Sequence, residues 1–104
     1  MSNSIELDTK NKMNNKNIHK WSRIFRGLAN PHRLEMIKLL KKNGKTAVSV
    51  LAKEVGISVK NTPRNLRILH DLEILESLGK SDHIFYSIYT GLDKEVNLII
   101  KMFA

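Results

Sequence analysis

The stretch TAVSVLAKEVGISVKNTPRNLRILHD, residues 46–71, decides the reading of this chain. Its first part sets Val48, Leu51, Ala52 and Val55 at steps of three and four, the spacing of one helical face. Thr46 can cap that helix and Gly56 can end it. Ile57 and Ser58 leave room only for a tight turn before a second helix that runs to about Asp71. At about 100° per residue, Thr62, Leu66 and Leu69 share one side of this second helix. Lys60, Arg64, Arg67 and Asp71 share the other. Asn61 and Ile68 border the polar side, and Asn65 lies closer to the apolar one.

Working outward, the upstream sequence supplies two more helices. Ile18, Trp21, Ile24, Phe25 and Leu28 form one stripe at helical spacing, large enough to be core or subunit interface. Asn30-Pro31 restarts the chain, with Asn30 as cap and Pro31 at the first helical position. That helix carries Leu34, Ile37 and Leu40 and stops near Asn43-Gly44. Downstream the period changes. Residues 74–78 and 83–89 read as two strands around Gly79-Lys80-Ser81-Asp82. Leu92, Val96, Ile99, Ile100 and Phe103 then return to helical spacing. The expected fold is mostly α with a small β-hairpin, in the order α-α-α-α-β-β-α. A short helix, a Gly-containing turn and a second helix form a helix-turn-helix, and the hairpin after it is a wing.

The 104 residues suffice for one domain. We expect a disordered polar tail over residues 1–17, rich in Asn, Lys and Ser, and a single winged helix-turn-helix domain for binding and dimerisation over residues 18–104. Lys and Arg total 18 against 10 Asp and Glu, a formal charge of +8. That excess suits a polyanion partner, because clustered cations release the counterions condensed on phosphates. With no cysteine, disulfides, thiolate ligands and cysteine nucleophiles are excluded. The N-terminus lacks the apolar core of a signal peptide, so a cytoplasmic location is expected.

The polar side of the second helix carries the chemistry that double-stranded DNA requires. Arg can donate two parallel hydrogen bonds to a guanine edge, and Asn can pair in the same way with adenine. Lys60 and the Ser58 hydroxyl suit phosphates at the helix start. The expected DNA contacts are Ser58, Lys60, Asn61, Thr62, Arg64, Asn65 and Arg67, with Lys80 from the wing. Asp82 opposes the attraction of Lys80 to phosphate, and His83 beside it is a weaker candidate. Pro63 leaves the helix start open. If Ser58 caps, Pro63 loses a bond to the Val59 carbonyl; if Thr62 caps, Pro63 opens the helix.

Three segments together resemble the ArsR/SmtB family of winged-helix repressors. They are Phe25 to Leu34 around Leu28-Ala29-Asn30-Pro31, Val48 to Ser58, and Thr62 to Leu75. The resemblance implies a homodimer built on the first and last helices, through Trp21, Phe25, Val96, Ile99, Ile100 and Phe103. It also implies two reading helices in successive major grooves of an inverted repeat, about 34 Å apart. The departures are specific. Ala47 and Ser49 stand where relatives carry a Cys-x-Cys pair, and Asp93-Lys94-Glu95 has no His where others carry Asp-x-His. His19, His32, His70 and His83 are scattered without ligand spacing. No metal, cofactor or catalytic residue is expected. The expected function is a sequence-specific DNA-binding transcriptional regulator, a homodimeric repressor that uses helix 58–71. The alternative is a winged-helix module that binds protein.

Overall fold

In the computed structural model, Asn30 begins the second helix as the sequence requires. Its Oδ1 accepts hydrogen bonds from the backbone N–H groups of His32 and Arg33, at 2.9 and 3.2 Å. The structure describes residues 17–58, 60–80 and 83–104. Helix α1 is described over residues 17–28, and helix α2 covers Pro31–Asn43. Gly44, at φ 75°, ends α2 by donating its N–H to the Leu40 carbonyl. Of the tail expected over residues 1–17, only Asn17 lies within the described residues, and it is helical.

The next element departs from expectation. Thr46 does not cap a helix; Thr46–Ala47 is a short strand, β1, and Ala47 precedes helix α3, Val48–Val55. The Thr46 hydroxyl donates instead to the Gly44 carbonyl at 2.8 Å. Gly56 then takes the left-handed conformation at φ 76°, ψ 26°, closes α3 and turns the chain toward helix α4, Asn61–Asp71. Strands β2, Leu75–Lys80, and β3, His83–Ile88, form the hairpin. They pair antiparallel from Leu75 opposite Ile88 to Lys80 opposite His83. Ser81 and Asp82, part of the expected turn, lie outside the described residues. β1 adds to the far side of β3, with Thr46 opposite Tyr86, so the sheet order is β1-β3-β2. Helix α5, Lys94–Phe103, follows.

One core joins these pieces. Met36, Ile37 and Leu40 of α2, Leu51 of α3, Leu66 and Leu69 of α4, and Ile74 and Leu75 at the start of the hairpin are almost fully buried together. Ile24 and Leu28 of α1 and Val96 and Ile100 of α5 close the cluster. This packing holds α4 by one side and presents its opposite side to solvent. The hairpin needs glycine at position 79. Its φ of 113° disfavours other residues, and a Cβ there would come within 1.9 Å of the His83 carbonyl oxygen.

Candidate nucleic-acid interface

Ser58 settles how α4 begins. Its Oγ accepts the Asn61 N–H at 3.1 Å, and its carbonyl accepts the Thr62 N–H at 3.1 Å. Pro63 is therefore the third residue of the regular helix Asn61–Asp71. It has no N–H to donate, so the helical bond that Thr62 makes to the Ser58 carbonyl has no counterpart at Pro63.

From this start the side chains separate into two sets. Thr62, Leu66 and Leu69 are buried, while Ser58, Lys60, Asn61, Arg64 and Arg67 are exposed. Thr62 is accordingly withdrawn as a DNA contact. Its side chain is fully buried and its hydroxyl donates to the Ser58 carbonyl at 2.9 Å. Asn65 is also withdrawn as a free base reader. It is half-buried, its Nδ2 donates to the Asn61 carbonyl, and its Oδ1 accepts from an Arg33 terminal nitrogen at 2.8 Å.

The exposed set is cationic. The first turn of α4 holds no acidic residue. Among the described residues, no carboxylate lies within ion-pair distance of Lys60, Arg64 or Arg67. The Arg64 charge is felt by Arg33, whose pKa is pushed below its ordinary value by burial first and by Arg64 second. Lys80 ends β2 on the exposed hairpin, and His83 opposite it is exposed as well. Among the described residues, no group of three His, Asp or Glu side chains is placed to hold a metal ion.

The terminal helices also divide differently from expectation. Val96 and Ile100 face the chain's own core, at 2% and 1% exposure, and so are withdrawn from the expected subunit interface. Trp21, Ile99 and Phe103 are half-buried against that core, and Phe25 is exposed. The exposed apolar side chains of these helices are Ile18, Phe25, Leu98 and Met102. Leu98 and Met102 were not singled out in the sequence, because the α5 stripe of Val96, Ile99, Ile100 and Phe103 runs along another side of the helix.

Sequence comparison adds that the family model HVO_A0114 matches residues 28–87, from the end of α1 through the hairpin. The chain belongs to the HVO_A0114 family. No curated protein matches it. Solved structures share the fold of this HVO_A0114 chain. One is the solution structure of the homodimeric winged helix-turn-helix DNA-binding domain of Mb0332 from Mycobacterium bovis, a possible ArsR-family transcriptional regulator. It is 20% identical, with a TM-score of 0.71, over 98% of this chain and 84% of that one. HlyU from Vibrio cholerae is 22% identical at a TM-score of 0.71, over 84% and 90% of the two chains. The AntR antimony-specific transcriptional repressor is 29% identical at 0.64, over 75% and 68%. The HVO_A0114 chain thus has a winged helix-turn-helix fold, with three strands in its sheet.

Proposed function

We propose that this protein is a sequence-specific double-stranded DNA-binding transcriptional regulator, acting as a homodimeric repressor. One observation carries the reading: Lys60, Asn61, Arg64 and Arg67 stand together on the solvent side of α4, opposite its buried Thr62, Leu66 and Leu69. An α-helix fits the major groove, and these residue types match its acceptors and phosphates. Arg64 and Arg67 read base edges, Asn61 reads beside them, and Ser58 and Lys60 hold phosphates at the helix start. Lys80 reaches the backbone or minor groove from the wing. The homodimer named for the M. bovis domain supports the same assembly here. Ile18 and Phe25 of α1 and Leu98 and Met102 of α5 offer the apolar surface for it. A two-fold dimer would set its α4 helices about 34 Å apart, over an inverted repeat.

Selection of bound sequences from random duplexes tests this directly. An enriched inverted repeat, with half-sites about 10–10.5 base pairs apart or a multiple of that, is expected. Recovery of no preferred sequence, with binding to a protein partner instead, would overturn the reading.

A further inference from the structure

Helix α1 has two unlike flanks beside its buried Ile24 and Leu28. Ile18, Trp21 and Phe25 form the apolar flank, and Arg23 and Arg26 form the basic one. The basic flank borders a hollow of about 370 Å³ between α1, the start of α2 and the last turn of α4. Arg23, Arg26 and Arg33 line it together with Gly27, Ile68 and Leu72. The exposed Asp71 is the one carboxylate among its lining residues.

Arg33 is held in place by two bonds. Its Nε–H is donated to the Gly27 carbonyl and a terminal N–H to Asn65. Its other N–H groups have no acceptor among the described residues. No carboxylate among the described residues lies within ion-pair distance of Arg23, Arg26 or Arg33. Three arginines therefore line one partly apolar concave surface with no ion-pair partner among the described residues, although Arg26 also donates to the Ser22 hydroxyl at 3.3 Å.

We propose that this hollow binds a small organic anion, a carboxylate carried on a flat apolar body of one or two rings. The planar forks of the arginines match the two oxygens of a carboxylate. Ile68 and Leu72 offer apolar surface to a ring. A cavity of roughly 150 Å³ accepts benzene, so the hollow has room for about two rings. Its size falls within the usual range of small-molecule pockets, about 300–1,000 Å³. Asp71 repels a second negative charge, which favours a monoanion. A DNA phosphodiester fits this surface less well, because it brings no apolar group to meet Ile68 and Leu72. The site also touches the reading helix. A Cβ on Gly27 would come within 2.2 Å of Leu72 Cδ1, so α1 and the end of α4 are already in close contact beside the hollow.

The test uses the full chain with 2-naphthoate, its neutral counterpart 2-naphthamide, and inorganic phosphate, followed by calorimetry and backbone amide shifts. Saturable binding of the naphthoate is expected, roughly tenfold or more tighter than either comparison compound. Amide shifts should centre on Gly27, Arg33 and Leu72. The double variant R23Q/R26Q changes two exposed side chains, so folding is not at stake. It should weaken naphthoate binding roughly tenfold. Absence of naphthoate binding, equal binding of amide or phosphate, or no effect of R23Q/R26Q would overturn the proposal. So would a double variant that loses duplex DNA affinity while keeping naphthoate affinity, since the arginines would then be backbone contacts.

Discussion

Arg33 donates to Asn65 Oδ1 across 2.8 Å and so ties the first turn of α2 to the middle of α4, thirty-two positions along the chain. The bond fixes one edge of α4. Asn65→Ala removes the acceptor from a part-buried guanidinium. The expected loss of stability is about 1 kcal/mol, near the mean for such bonds. Urea denaturation should show a lower midpoint with an unchanged slope. An unchanged midpoint would mean that water replaces Asn65 without penalty.

Glu73 takes φ 59° two residues past the end of α4, after Leu72. The N–H of Ile74 reaches the Leu69 carbonyl and that of Glu73 reaches the His70 carbonyl, so Glu73 fills the left-handed place of a Schellman cap. A side chain strains that conformation by about 1–2 kcal/mol, and glycine relieves it at some entropic cost in the unfolded chain. Glu73→Gly should therefore stabilise the fold by roughly 0.5–1 kcal/mol. A lower melting temperature for this variant would contradict the assignment of the cap.

Lys20 pairs with Asp93 and connects α1 to the residue just before α5. The hydrogen bond from Lys20 holds the Asp93 carboxyl below its ordinary 3.8, and the same bond raises Lys20 above 10.5. A lowered carboxylate pKa adds stability above its unfolded value and loses it as pH falls through the folded value. The lysine part is present below 10.5 and is lost as pH rises through the raised folded value. Both groups are exposed to solvent, so the effect is small and shrinks with salt. Wild type should exceed Asp93→Asn in urea midpoint at neutral pH, and the two should converge in acid below 3.8. A gap that persists unchanged at the lowest pH would show that the pair contributes nothing through its charge.

Phe25 and Met102 are exposed at 53% and 83% on the two terminal helices. Placing a charge on each, as Phe25→Asp with Met102→Asp, should convert a micromolar dimer into a species of about 12 kDa in sedimentation, since an unpaired charge buried at an interface is strongly unfavourable. The variant should keep its helical circular dichroism, because neither residue belongs to the buried core. A wild-type chain that sediments only as a monomer would remove the interface altogether.

Much of this architecture was legible from spacing alone. The Gly56 stop, the Asn30-Pro31 start and the buried side of α4 follow from helical period and capping chemistry. Strand β1 was not legible, because Thr46–Ala47 is too short to show a period and forms only through pairing with Tyr86 and Phe85. Thr62 lay on the apolar side of the wheel and was also among the expected contacts; burial decides between the two. Asn65 carried no sign of Arg33, since a bond across that separation leaves no local pattern. The stripe on α5 marked an apolar side without saying what covers it, and the chain's own core covers Val96 and Ile100.

On the proposed function, the exposed side of α4 reads DNA. Fluorescence anisotropy over a salt series, on the selected site and on an unrelated duplex, tests it most directly with wild type, Arg64→Ala and Lys60→Ala. Wild-type affinity should fall linearly on a log–log plot against salt. Arg64→Ala should weaken the selected site by about 1–3 kcal/mol and the unrelated duplex much less. Lys60→Ala should weaken both and reduce the salt slope by about 1. Equal loss for both variants on both duplexes, or no wild-type binding even at low salt, would contradict the account.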